Sequence, residues 1–207
     1  MRLRNLKDKD ILLANCKYLV KDPFVYKGKW EELFGNNHSI HLEIGMGKGD
    51  FIYEMARLNP DINFIGIEKY SNVLARAIKK YPDGLPNLKI INLDALKLEE
   101  VFSSEITTIY LNFSDPWPKE RTKNRRLTSE VFLRIYDSLF QGVPHIVMKT
   151  DNLGLFASSL VSLSNYGYSF SNVNLDLHHS DIPNVLTEYE KKFQELGVKI
   201  NYLDARK

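Results

Sequence analysis

The chain has 207 residues, 43% hydrophobic and 26% charged, which is enough for one domain with a true core. No run approaches the roughly 18 apolar residues of a membrane span, and a single cysteine, Cys16, excludes an internal disulfide. The net charge of +2 is uneven: residues 119–126 carry +4 and the remainder −2, so an anionic partner is expected at one place unless that run is a solvated loop.

Residues 1–37 read as a lead-in belonging to the same domain as 38–207. Arg2, Arg4, Lys7 and Lys9 make its start basic, which suits either a phosphate-tracking arm or a plain flexible end. The start is charged and has no apolar stretch of signal-peptide length, so a cytoplasmic protein is expected. The segment 29–34 predicts a short helix closed by Gly35 and Asn36. From Ser39 strands and helices alternate. A strand over 39–44 leads into a glycine turn, and Phe51, Met55 and Leu58 give helical spacing over 50–58. Further strands are expected at 62–68, 88–93, 107–113 and 145–149. Helices are expected at 70–81, 95–102, 127–141 and 153–164. The tail predicts two more strands, 168–177 and 197–203, around a polar loop and a helix. Such alternation argues an α/β fold with a mainly parallel sheet covered on both faces.

Glu43-Ile44-Gly45-Met46-Gly47-Lys48-Gly49 follows a strand and opens a helix, the context of a nucleotide site. Gly45 and Gly47 let the backbone turn sharply and let a ligand approach closely. An acid two residues before the first glycine is unhelpful to a pyrophosphate. It suits a ligand with a cationic amino-acid end, such as S-adenosyl-L-methionine. Glu68, at the end of the second strand, is placed to bind ribose hydroxyls. Asp94, at the end of the third, can reach the adenine side. The plainer alternatives are a lysine partner for Glu43, Lys69 for Glu68, and a helix cap for Asp94.

The fourth strand runs into Ser114-Asp115-Pro116-Trp117-Pro118 and then a polar run holding Lys119, Arg121, Lys123, Arg125 and Arg126. Open α/β sheets present ligand contacts just past the carboxyl ends of their strands. Asp115 and Trp117 should therefore stand at the mouth of a site, with the cations beside it.

The glycine turn with its acid resembles the class I S-adenosylmethionine-dependent methyltransferases. More specifically, Tyr110 through Lys119, Arg125-Arg126-Leu127, Lys149-Thr150-Asp151-Asn152 and Thr187-Glu188-Tyr189-Glu190-Lys191-Lys192-Phe193 resemble the bacterial tRNA (guanine-N7-)-methyltransferases. That resemblance implies a Rossmann-like, mostly parallel seven-stranded sheet. It implies methyl transfer from S-adenosyl-L-methionine to N7 of a variable-loop guanine of tRNA. It also implies cofactor contacts at Glu43, Glu68, Asp94 and Asp115. Positive charge passes from sulfonium to purine during the transfer, and Asp115, by its place at a strand end, is the best catalytic candidate for stabilising it. Lys119, Asp151, Thr187, Glu188, Tyr189 and Glu190 would hold the substrate, with Asp151 or Glu190 accepting from guanine N1–H and the amine. Arg121, Lys123, Arg125 and Arg126 would meet RNA phosphates, and Trp117 or Tyr189 would stack on the base or pack in the core. Glu120-Arg121-Thr122, Leu153 and Ala157 depart from the family pattern at its periphery.

A nicotinamide-dependent oxidoreductase and a non-catalytic RNA-binding module on the same scaffold are the alternatives. The glycine spacing and Glu43 oppose the first, and the retained acids oppose the second. Neither a membrane partner nor a metal is expected: His178-His179 has no completing set of ligands. A monomer and a homodimer both fit the sequence.

Overall fold

The computed structural model describes residues 6–207; Arg2 and Arg4 of the basic start lie outside the described residues. Strands β1 (Ile40–Ile44), β2 (Asn63–Glu68), β3 (Leu88–Asn92), β4 (Ile106–Asn112), β5 (His145–Thr150), β6 (Ser169–Asn174) and β7 (Asn201–Arg206) form one sheet. The order is β3-β2-β1-β4-β5-β7-β6. The first five are parallel, and β7 runs antiparallel between β5 and β6. Chain order reverses between β1 and β4, and in open α/β sheets the crevice above such a reversal is where ligands bind.

Strand alternation builds two cores. Ile40, Leu42 and Ile44 of β1 join Ile109, Leu111, Ile146 and Met148 on one face. Over that face lie α2 (Trp30–Phe34), α5 (Glu130–Asp137) and α6 (Leu153–Asn165). The other face carries Phe64, Tyr110 and Val147 under α1 (Lys9–Asn15), α3 (Asp50–Leu58) and α4 (Ser71–Lys80). By the same period of two, Glu43, Asn112 and Lys149 fall on this second face near the carboxyl ends of β1, β4 and β5. The register pairs Asn112 with Lys149 directly. A row of polar groups thus sits where an apolar core would otherwise continue.

The described part of the lead-in is structured. Tyr18 and Val20 exchange backbone hydrogen bonds with Ile90 at the edge of β3. Trp30 is fully buried, donates its indole N–H to the Val101 carbonyl at 3.0 Å, and stacks on Phe102. The Glu105 carboxylate accepts from the backbone N–H groups of Gly28 and Trp30, closing the open end of α2. Lys9 lies on α1 beside Asp10.

Two expected helices differ. The helix expected over 127–141 is confined to the shorter α5, and a separate 3-10 turn, Glu120–Arg125, lies ahead of it in the polar run. Past α5, Phe140 bridges Ile106 and Gln141 donates to its carbonyl, so the sheet takes the backbone that the apolar spacing assigned to helix. The stretch after β3 is likewise a 3-10 helix, Ala95–Glu100, capped by Asp94. The tail helix is α7 (Glu188–Glu195).

Candidate functional site

A cleft of about 280 Å³ opens above the reversal point. Its floor is Glu43, Asn112 and Phe113, its near wall the glycine turn with Phe51, and its far wall Thr187, Glu188, Tyr189 and Lys192. Gly45 and Gly47 have φ of +81° and +58°, a region that side chains disfavour. A Cβ built on either would meet nothing within 4 Å, so both present bare backbone to open space.

Glu43 is buried. Its Oε1 accepts from the Asn112 amide at 2.8 Å, while Oε2 is buried without a hydrogen-bond partner among the described residues. Burial pushes its carboxyl up to about 7, against the pull of Asn112 and Lys149 and with help from Glu68 and Asp50. A buried acid with one free oxygen facing a cleft has the character of half an ion pair.

Glu68 is also buried, but it bonds the turn itself: Oε2 accepts from Gly47 N–H at 3.2 Å and Oε1 from Tyr70 N–H at 2.8 Å. It splints the glycine turn to the end of β2. Burial raises its carboxyl, opposed by those backbone donors, and nearby Asp115 raises it further. Lys69 pairs with Asp94 at 2.6 Å, and Asp94 also accepts from Leu96 N–H. The helix-cap alternative for Asp94 is therefore realised.

Asp115 is exposed, between two residues held in the left-handed region, Phe113 at φ +51° and Trp117 at φ +40°. Such backbone persists only where its surroundings enforce it. Arg126 is one enforcer: its guanidinium donates to the Pro116 and Trp117 carbonyls, each at 3.1 Å. Arg125 lies 4.9 Å over the Trp117 ring, and Lys123 pairs with Glu120. Arg121 and Lys119 are exposed. Half of the expected phosphate-binding set, Arg125 and Arg126, is thus engaged with the Pro-Trp turn. Trp117 is partly exposed, with a cation on its ring, and is not core.

The far wall divides the expected substrate contacts. Tyr189 is 46% exposed and packs against Phe113 and Phe193, and burial, helped by the nearby Asp151 carboxylate, pushes its phenol up. Glu188 reaches across the cleft to Lys48 at 2.6 Å. Thr187 and Glu190 form a capping box at the start of α7. Glu190 departs from expectation: it is fully buried and does not line the cleft. Lys149 Nζ at 2.7 Å, His178 Nε2 at 3.0 Å and the Asn184 amide at 2.6 Å fill its carboxylate. It has no free oxygen to accept from guanine. His178 thus serves Glu190, and His179 pairs separately with Asp176.

Of the expected residues, the structure brings Glu43, Gly45, Gly47, Thr187, Glu188 and Tyr189 around one cleft. Glu68, Asp94, Asp115, Lys119 and Asp151 stand outside its lining. Lys48, Asn112 and Phe113 line the cleft without having been expected as site residues. A polar Asn112 in an otherwise apolar strand, two residues beyond Tyr110 on the same face, was the available signal.

The family model described as a putative methyltransferase matches residues 37–203. The tRNA (guanine-N(7)-)-methyltransferase of Geobacillus thermodenitrificans is 51% identical over 209 residues, covering 99% of this chain and 97% of the relative. The enzyme of the same name from Bacillus subtilis is 48% identical, covering 97% and 96%. Among solved structures, the 16S rRNA methyltransferase KamB superposes with a TM-score of 0.65 at 14% identity, covering 86% of this chain and 92% of that one, a likeness of fold. Identity carried end to end at this level, with a family model spanning the sheet and its cleft, means that the chain belongs to the tRNA (guanine-N(7)-)-methyltransferase family.

Proposed function

We propose that this protein transfers a methyl group from S-adenosyl-L-methionine to N7 of a guanine in the variable loop of tRNA. The observation of the site that carries this reading is the buried, unpartnered Glu43 oxygen beside a bare glycine turn, in a chain half identical to enzymes of that name. The residues fit the donor. Glu43 offers the acceptor that an ammonium needs, Lys48 offers a cation at the rim, and Gly45 and Gly47 leave room for close approach. When bound, the cofactor supplies an electrophilic methyl on a sulfonium.

N7 of guanine has a lone pair and no proton, so no side chain has to act as a base. The work of the residues is positioning. In this reading Glu43 would hold the amino-acid end of the cofactor, Asp94 would reach its adenine side while still capping the 3-10 helix that follows β3, and Glu68 would hold the ribose side while keeping the glycine turn in shape. Asp115, on its strained turn, stabilises the positive charge that develops on the purine. Asp151 and Tyr189 meet the base, which must first be unstacked. Lys119 takes an adjacent phosphate. A tRNA substrate fits a cytoplasmic location, and no helix among the described residues is long and apolar enough to cross a membrane.

Incubation with labelled methyl donor and unmodified tRNA, then nucleoside analysis, should yield labelled 7-methylguanosine. Label on another nucleoside, or none, overturns the reading. The basic run has its own test. Replacing Arg121 and Lys123 by Ala should leave the melting temperature unchanged and flatten the salt dependence of tRNA binding by up to about 0.7 in slope per lost phosphate contact. Arg126→Ala should lower stability as well, because it frees two carbonyls of the turn. An unchanged slope would make the run solvated surface.

A further inference from the structure

A surface helix ordinarily docks through an apolar stripe. Helix α7 does not. Among its described side chains only Glu190 is fully buried, and that side chain is a carboxylate. Its partners come from three places: Lys149 on β5, His178 on the 3-10 turn Leu177–His179, and Asn184 on the following loop. Lys149 is itself buried, and it donates further to the Asn184 side chain and the Val185 carbonyl at 2.9 and 2.8 Å. One buried cation therefore fixes both the loop leading into α7 and the helix itself. Next to Glu190 in the helix, Tyr189 packs on Phe113 just past the end of β4, so the same turn of α7 reaches the cleft floor.

An ion pair in such a place holds geometry more than it adds stability, since an apolar pair of equal volume would often stabilise as well. What it specifies here is where Thr187, Glu188, Tyr189 and Lys192 stand over the cleft. We propose that Lys149 and Glu190 are positioning residues that act as one unit to set the α7 wall of the cleft, and that Glu190 does not touch the substrate. The catalytic part of this proposal rests on the methyltransferase reading above.

The test is a double-mutant cycle on Lys149→Met and Glu190→Gln, read by kcat/KM for tRNA and by native-state hydrogen exchange across 188–195. Each single change should lower kcat/KM by about 10- to 100-fold, the scale of small misplacements at a reacting site. The double variant should lose no more than the worse single, because both remove the same unit. Exchange across α7 should quicken in every variant while the central strands stay protected. Additive losses, or lost activity with α7 exchange unchanged, would make Glu190 a substrate contact and overturn the proposal. Faster α7 exchange with normal kcat/KM would overturn the wall's role. If a single variant fails to fold, the double, which leaves no unpaired charge, is compared with wild type by the same two readouts. If wild type methylates no tRNA, the functional reading fails, and exchange alone decides whether the pair anchors α7.

Discussion

Asp115→Asn is expected to lower turnover by about 100- to 1000-fold, the loss typical of removing one preorganised electrostatic group from a transition state. The melting temperature should stay within about a degree, because Asp115 is exposed and changes at such positions are usually worth under about 0.5 kcal/mol. Its special environment lies in the backbone: left-handed residues at Phe113 and Trp117 bracket it, and Arg126 ties down the carbonyls that follow. Binding of cofactor and tRNA measured separately should change little compared with kcat. Single-turnover kinetics with saturating tRNA would show the split. Turnover at the wild-type rate would remove Asp115 from the mechanism and leave its strained turn without a catalytic purpose.

Glu43→Gln should move cofactor affinity and stability in opposite directions. A charged hydrogen bond contributes about 1.5–3 kcal/mol, so losing the carboxylate should weaken cofactor binding by about 10- to 100-fold. The cofactor-free protein should become more stable at pH 8. The Glu43 carboxyl has an ordinary value of 4.5 and is pushed up to about 7 by burial in the fold. The protonated group therefore favours the folded state fully below 4.5, and that advantage is lost as pH rises through about 7. At pH 8 the ionised acid costs the fold up to about 3 kcal/mol, which Gln does not incur. A rise in melting temperature of about 3–10 °C follows for a chain of this size. The gap should shrink as pH falls through about 7 and close only below 4.5, near pH 4, where Glu43 is protonated in both states. Calorimetry at the two pH values, with a binding titration beside it, checks both halves. Equal cofactor affinity in the variant would mean that Glu43 is not the anchor. A stability difference independent of pH would mean that its buried charge is already compensated.

These two acids illustrate what could be read from the chain and what could not. Both stood at strand ends next to turn residues, and both were visible as candidates from position alone. Nothing local distinguishes Glu43, whose oxygen stays free, from Glu68, whose two oxygens close the glycine turn. Glu190 is the sharper case. In the sequence it sits three residues after Thr187, a pattern that serves a capping box and a ligand site equally well. Only the approach of Lys149, 41 residues earlier in the chain, shows that its carboxylate is filled.

The amino-acid sequence by itself determined the alternation of strand and helix, the two faces of the sheet, the glycine turn and the motifs that mark the family. These depend on periodicity and on residues adjacent in the chain, where backbone sterics and side-chain parity act locally. The tertiary structure alone decided which charges meet. It put Arg126 under the Pro-Trp turn, Asp94 on Lys69, and Lys149 between a half-satisfied Glu43 and a fully satisfied Glu190. Whether a carboxylate binds a ligand or holds the scaffold depends on which donors reach it through space, and sheet register and loop closure bring those donors together from distant parts of the chain.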